Sequence, residues 1–174
     1  MTAIVQDLQK INKNGVKAKL EIYTGNELSS RQKLILNDGV NSCVHGLISQ
    51  KELKKKYMQS DIALHVESFD LKNKLLTRVS FSTKIVDCLA SGCAVMAICW
   101  ENHSGYIYLK KEKAAICIAN IAGIYDRLLY VTEHSSELIS YAEKARGCCV
   151  KNHNAADIQN TIASDFQNIL RGYK

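Results

Sequence analysis

Apolar and polar positions along this chain alternate between a helical spacing and a strand-like spacing. Apolar residues recur at helical intervals over 3–13, which predicts an opening helix. The next segment, 18–23, alternates residue by residue and predicts a strand. The same reasoning predicts further strands at 40–46, 61–66, 94–99 and 115–119. It predicts further helices at 29–37, 49–60, 82–92, 121–131, 136–146 and 155–170, with a long loop over 67–80.

This alternation of strands and helices predicts the fold class. Parallel neighbours in a sheet need long crossover connections, which are usually helices. We therefore predict an α/β fold, a doubly wound, Rossmann-like parallel sheet with helices on both faces, formed as one domain over 1–174. Such a domain ordinarily begins with a central strand, whereas this chain begins with a predicted helix. We therefore expect that the first strand of the fold is missing.

The predicted helix over 82–92 carries the strongest chemical signal in the sequence. Ser82 is placed to cap its first turn, and Gly92 is placed to end it just before a buried strand. A helix start of this kind attracts anions, so an anionic ligand is one interpretation, and an ordinary amphipathic helix is the other. One side of this helix carries three polar residues, Thr83, Lys84 and Asp87.

The net charge is modest and restricts the class of partner. The formal charge is +6, and lysines are concentrated in two stretches, 51–56 and 110–113. Neither stretch has the interleaved aromatic residues or the motif of a nucleic-acid-binding protein, so we expect no nucleic-acid partner. We interpret both stretches first as solvated helix and loop surface, and peripheral contact of the first with anionic lipid headgroups is the alternative.

Cysteine and histidine usage predicts a reduced, metal-free protein. There are seven cysteines and no C-x-x-C pair, which indicates free thiols in a reducing cytoplasm. Four histidines have no neighbour at catalytic or metal-ligand spacing in the sequence, His65, His103, His134 and His153. We therefore expect no metal and a cytoplasmic location, and the lysine-rich stretch leaves association with the inner face of the membrane as an alternative. We also expect no cofactor.

A series of short motifs follows in order along residues 4–150. They are Leu20 to Gly25, Val44 to Gly46, Glu52 with Tyr57, Asp61 to Leu64, and 82–92 with the strand after it. In this order they resemble the C-terminal, nucleotide-sugar-binding domain of the retaining, group 1 glycosyltransferases of GT-B fold. The resemblance implies transfer of a sugar from a nucleoside diphosphate sugar, of UDP or GDP type, to an acceptor hydroxyl in polysaccharide or glycan biosynthesis.

The resemblance also implies a set of nucleotide-binding residues. His45 and Gly46 match the position where the backbone meets the base, and glycine permits a close approach there. Asp87 matches a glutamate that holds the ribose hydroxyls, and a carboxylate can accept both of those hydrogen bonds. The backbone at Ser82 and Thr83 matches the diphosphate position.

The charged residues near the diphosphate position agree with the family's pattern only in part. Lys84 is a nearby cation that offsets phosphate charge. Many members carry a second acid eight positions before the ribose-binding one, where this chain has Val79, and Glu67 is the substitute that the sequence offers. Ala94 stands where the family commonly has proline.

The resemblance implies that this chain supplies the donor-binding half of an enzyme. The expected partners are the nucleoside diphosphate sugar, a glycan or lipid-linked acceptor, and an N-terminal domain or companion chain, without which we expect no sugar transfer. Two alternatives remain open, a non-catalytic nucleotide-sugar-binding module and an unrelated flavodoxin-like regulatory domain. The second alternative predicts an acidic cluster at the strand ends, and Asp61 begins its strand rather than ending it.

Overall fold

The protein is an α/β fold with helices on both sides of parallel strands, as the sequence predicts. The computed structural model describes residues 1–172. Its strands are β1 (Leu20–Tyr23), β2 (Ser42–His45), β3 (Ile62–Val66), β4 (Ala94–Ile98) and β5 (Ile116–Ile118). Its α-helices are α1 (Thr2–Ile11), α2 (Ser30–Leu36), α3 (Gln50–Tyr57), α4 (Leu71–Thr77), α5 (Lys84–Ala90), α6 (Ser104–Lys111), α7 (Ile124–Glu133), α8 (Ser136–Asn152) and α9 (Ala155–Gly172).

The strands form two parallel sheets rather than one. β1 pairs with β2, with Leu20 opposite Ser42, and β4 lies between β3 and β5. All five residues of β4 are buried, since helices cover this strand on both faces. No strand pairing joins β1 to β3 in the described residues. The expected continuous sheet is therefore divided between these two strands.

Two apolar clusters lie on the opposite faces of the strands. One contains residues of α5, α6 and α8, with the fully buried Ile85 and Leu109 among its members. The other contains residues of α1, α2 and α7 packed on all five strands, with Val5 and Met96 fully buried. This second cluster includes side chains from both sheets and so joins them through packing.

The structure corrects the predicted loop over 67–80, because α4 forms within it. Asp70 caps this helix by accepting a hydrogen bond from the Asn73 amide. Leu71, Leu75 and Leu76 are between 66% and 73% exposed, so α4 has no buried face. A helix without a buried face leaves no clear hydrophobic period in the sequence.

Helix α6 also has no counterpart in the elements predicted from the sequence. It begins after His103, whose Nδ1 accepts a hydrogen bond from the Gly105 amide. The predicted end of α5 is confirmed, because Gly92 has a φ of +84°, which glycine adopts without strain. None of the helices in residues 1–172 combines the length and the apolar character needed to span a lipid bilayer.

Candidate functional site

A cavity of about 1710 Å³ opens between the two sheets. β1 and β3 form its walls along their whole length, and α5 borders it. Four of the residues predicted to bind a ligand line this cavity, Glu67, Ser82, Lys84 and Asp87. Ligands of parallel α/β folds bind beyond the carboxyl ends of the strands, and Glu67 directly follows β3 there. The structure therefore places these four residues around one space.

The other three predicted residues, His45, Gly46 and Thr83, are not among the residues that line the cavity. His45 ends β2, in register with Tyr23 at the end of β1. Their rings stack with centroids 4.7 Å apart and planes 16° apart. A Cβ added at Gly46 would meet no heavy atom within 4 Å, so the space beside this glycine is open.

Glu21 connects His45 to the cavity wall. Its carboxylate is hydrogen bonded to His45 Nε2, and Lys19 Nζ lies 3.1 Å from its other oxygen. Burial raises the pKa of Glu21, but the hydrogen bonds from His45 and Lys19 outweigh burial and leave this pKa below its ordinary value. Glu21 is therefore held as a carboxylate beside His45.

Sequence reasoning did not select Glu21 and Tyr23, although a signal for them exists. Side chains alternate between the two faces of a strand, so residues 21 and 23 share one face. The parallel register of β1 and β2 then brings that face to His45. The register comes from the tertiary fold, and the sequence pattern alone does not contain it.

The start of α5 differs from the prediction. The helix begins at Lys84, and no side chain among residues 1–172 makes a capping hydrogen bond at its first turn, so the predicted cap by Ser82 is wrong. The Ser82 carbonyl oxygen instead accepts from the Ile85 amide, and the Thr83 carbonyl accepts from the Val86 amide. These two amides are consequently not free to bind an anion, and α5 is only seven residues long.

The segment before α5 is fixed in place by α6. Ser104 Oγ donates a hydrogen bond to the carbonyl oxygen of Ser80. The Phe81 ring packs edge-on against Tyr108, with centroids 5.3 Å apart. Contacts from α6 therefore position Ser82 beside the cavity.

Lys84 and Asp87 lie one helical turn apart on α5, and both side chains are exposed at the cavity. The buried face of the same helix carries Ile85, Cys88 and Leu89, each at most 2% exposed. Such packing holds the helix rigidly against β3 and β4. A lysine and a carboxylate on this exposed face can bind a phosphate and a pair of hydroxyls, respectively.

Three buried side chains beside the cavity, His65, Cys99 and His103, place their ligand-capable atoms within 4.8 Å of one another. Sequence spacing gives no sign of this grouping, because the fold brings together residues distant in the sequence. Burial, then His103 and Lys84, lower the pKa of His65 to about 4, and burial raises the pKa of Cys99 to about 12. Both side chains are therefore neutral at pH 7.

This cluster offers few free metal ligands. His103 Nδ1 accepts a hydrogen bond from the Gly105 amide at 3.1 Å. Because an accepting ring nitrogen carries no proton, the ring proton lies on Nε2. His65 Nε2 is buried and has no hydrogen-bond partner within residues 1–172. His65 and Cys99 then provide two ready ligands, fewer than the three protein ligands typical of a catalytic zinc site. The expected absence of a metal stays a prediction.

The family described as glycosyl transferase-like matches residues 8–164 of this chain. The match includes all five strands and the whole of α5. It therefore covers every residue that lines the cavity apart from Met1 and Ile4. No curated protein is similar enough to match this chain.

Proposed function

The chain belongs to the glycosyl transferase-like family, and from this premise we propose that it binds the nucleoside diphosphate of a sugar donor in the cavity between its sheets. Glycosyl transfer in general needs a donor and an acceptor. The observation that carries the proposal is the convergence of Lys84, Asp87, Ser82 and Glu67 on one cavity, which runs along β1 and β3 and reaches the carboxyl end of β3 at Glu67.

Each of these residues has a distinct proposed role. Lys84 supplies positive charge to the diphosphate, which gains negative charge as the sugar departs. Asp87, one turn further along α5, accepts hydrogen bonds from the two ribose hydroxyls. Glu67 faces the sugar as the substitute for the acid that is absent at Val79. His45 and Gly46 border the base, with His45 oriented by Glu21.

We propose that the acceptor half of the reaction comes from another domain or a companion chain. Two exposed apolar surfaces support this proposal, one on α4 and one on α9. Helix α9 has no buried residue, yet it carries Ile158, Ile162 and Phe166 at 44% to 65% exposure. A helix whose apolar stripe stays exposed among the described residues is typical of a surface that contacts another protein element. From the resemblance to the glycosyltransferases, the acceptor that we propose is a polysaccharide or a lipid-linked glycan.

A second candidate function is a nucleotide-sugar-binding module without catalysis. Val79 favours it, because this residue replaces the expected acid and its side chain is 90% exposed. Both functions require nucleotide binding, and they differ in transfer. Supplying the acceptor half restores sugar transfer under the first function and leaves it absent under the second.

Calorimetric titration of the chain with UDP, GDP and ADP tests nucleotide binding. We expect one base to bind more tightly than the others. Asp87→Ala should weaken that binding by about 1–3 kcal/mol, roughly 5- to 150-fold in Kd, through loss of the ribose contacts. Asp126→Ala is the matched control, since Asp126 is an exposed acid on α7 away from the cavity. Failure of all three nucleotides to bind the folded chain would overturn the proposal.

Gly46→Leu tests the position of the base. The space beside Gly46 is open, since an added Cβ meets no heavy atom within 4 Å, and we expect the fold to be retained. We expect the larger side chain to abolish nucleotide binding by filling the base position. Gly147→Leu, at a glycine of α8 that is equally open, should leave binding unchanged. Equal affinity of the Gly46→Leu variant and the unmodified chain would remove Gly46 from the site.

A further inference from the structure

His65 and Glu67 lie beside each other at the end of β3. They are two residues apart, so their side chains share one face of the extended chain, and both residues line the cavity. His65 Nε2 lies 3.6 Å from Glu67 Oε1. A hydrogen bond between nitrogen and oxygen is typically about 2.7–3.2 Å long, so these two groups are close to bonding distance without being bonded.

His65 Nε2 is a buried polar atom without a partner. The His65 side chain is only 3% exposed, and its Nε2 bonds to no group among residues 1–172. Cys99 and His103 belong to the same cluster, yet neither of them bonds to this nitrogen. Leaving a buried nitrogen unpaired is unfavourable, and nearly all such groups in native folds have a partner. Glu67 offers the acceptor that this nitrogen lacks.

The fold holds the His65 ring in place and keeps it neutral. Ala63, two residues earlier on the same face of β3, packs in the apolar cluster that contains the buried residues of α5. In the sheet register His65 is opposite Ala97, which is fully buried. Burial, and then His103 and Lys84, lower the pKa of His65 to about 4, so the ring is neutral at pH 7. A neutral imidazole with its proton on Nε2 donates one hydrogen bond from that atom.

The main chain of Glu67 is fixed, whereas its side chain is able to turn. The Glu67 amide donates to the Ile98 carbonyl at 3.0 Å, which extends the pairing of β3 with β4 by one residue. The carboxylate is 21% exposed, and His65 is the one basic side chain within 4.0 Å of it in the part of the chain that the structure describes. A rotation that shortens the 3.6 Å separation by about 0.6 Å would complete a hydrogen bond.

We propose that His65 is a positioning residue for Glu67, and that its Nε2–H donates to the Glu67 carboxylate when the sugar of the donor enters the cavity. The inference rests on the proposed function, in which Glu67 faces that sugar. A carboxylate has two oxygens, so one accepts from His65 while the other accepts from a hydroxyl of the sugar. His65 therefore acts through Glu67 and needs no contact with the sugar.

The bond to His65 would lower the cost of fixing Glu67 against a ligand. A glutamate side chain loses rotamer freedom when it binds, and a hydrogen bond from a fixed, buried donor selects the binding rotamer. Such a bond is strong because one partner is charged and the other lies in the interior. Pairing Glu67 with a neutral ring also leaves the positive charge of Lys84 to the diphosphate.

Calorimetry with paired ligands separates this role from a structural one. The ligands are UDP with UDP-glucose, GDP with GDP-glucose and ADP with ADP-glucose, and the pair that binds most tightly is used. His65→Leu removes the donor, so it should weaken binding of the nucleotide sugar at least about fivefold and change binding of the free nucleotide less than about twofold. A structural defect would weaken both ligands alike, and equal weakening of both, or of neither, would overturn the proposal.

Three variants identify the group through which His65 acts. His65→Gln keeps an N–H donor on a side chain of similar reach, so it should recover most of the affinity that His65→Leu loses. The effect of His65→Leu should disappear in a chain that already carries Glu67→Ala, and additive losses would overturn the proposal. His134→Leu is the matched control, because His134 is exposed and does not line the cavity.

The hydrogen bond itself is observable in the unmodified chain, which removes any dependence on the folding of a variant. NMR of the histidine ring follows solvent exchange of the His65 Nε2 proton. We expect the nucleotide sugar to slow this exchange at least about tenfold and the free nucleotide to leave it unchanged. An unaltered exchange rate with the nucleotide sugar bound would overturn the positioning role alone. Failure of every nucleotide and nucleotide sugar to bind would overturn the proposed function, and this role with it.

Discussion

Gly105 lies in the first turn of α6 where that helix contacts α5, so it offers a direct test of the packing beneath the site. A Cβ at position 105 would lie 2.5 Å from Ile85 Cδ1 and 3.1 Å from His103 Nδ1. The first distance is too short for two carbon atoms, and Ile85 is fully buried. Gly105→Ala should therefore force the Ile85 side chain, or the two helices, to shift.

Two opposing effects set the change in the free energy of unfolding caused by Gly105→Ala. Overpacking costs about 1–3 kcal/mol, while alanine in place of glycine within a helix regains up to about 1 kcal/mol. Ile85→Val alone costs about 0.5–1.5 kcal/mol, because it deletes a buried methyl group. That deleted methyl is Cδ1, the atom with which the new Cβ collides. The double variant should be at least about 1 kcal/mol more stable than the sum of the single changes predicts.

Urea unfolding of the four proteins measures this coupling free energy. Trp100, the only tryptophan, lies beside α6 with its ring 5.9 Å from that of His103 and reports on this region by fluorescence. Additivity of the two changes within about 0.5 kcal/mol would refute the collision at Cδ1. The strain would then arise from the contact between the new Cβ and His103 Nδ1, which Ile85→Val does not relieve.

Three further predictions concern buried polar groups. Asn12→Ala should destabilise the fold by about 1–3 kcal/mol in urea unfolding, because the Asn12 side chain donates to Ala18 and Asn41 at 2.7 and 2.8 Å; an unchanged midpoint would contradict this. The pKa of His65 is about 4 in the folded protein and 6.5 ordinarily, so between these pH values the unfolded chain binds more protons than the folded one. The free energy of unfolding should therefore fall by about 3 kcal/mol as the pH drops from 6.5 to 4. His65→Gln should flatten that pH dependence, and an unaltered slope would assign it to other groups. Burial raises the pKa of Cys99 to about 12, so mass spectrometry after iodoacetamide treatment should find the half-buried Cys43 modified well before Cys99.

The fold class was predictable because the strands carry unmistakable patterns. The run from Ala94 to Ile98 is continuously apolar, and the structure buries every residue of it. The capping residues of α2 and α3, Ser29 and Ser49, each begin a capping box that the sequence spacing indicates. Where a signal depends on neighbours within about four residues, the sequence contains it.

The parts that escaped prediction depend on long-range contacts or lack a buried face. Helix α4 is exposed, so it has no hydrophobic period, and α6 follows an N-cap histidine, which is not among the common capping residues. The pairing of Glu21 with His45 and the grouping of His65 with Cys99 both join residues more than 20 positions apart. Only the tertiary fold brings such residues together.

The start of α5 shows a third kind of difference. Ser82 has the right residue type for a cap, but the helix begins two residues later at Lys84. The backbone before it is held by Ser104 and by the Phe81 contact with Tyr108. Tertiary contacts therefore override the local capping preference at this position.

The division of the strands into two hydrogen-bonded sheets has a consequence for folding cooperativity. No ladder links β1 and β2 to the other three strands within residues 1–172, so the two units are coupled by side-chain packing and by side-chain hydrogen bonds such as that of Asn12, at the end of α1, to Asn41. Units that share no backbone ladder can open separately, as distinct foldons with different free energies. The smaller unit contributes two buried apolar side chains to the shared cluster, Leu20 and Leu36, each 7% exposed, and it should open first. Unfolding followed at Trp100 would then lag behind unfolding followed in β1, and the chain would depart from two-state behaviour.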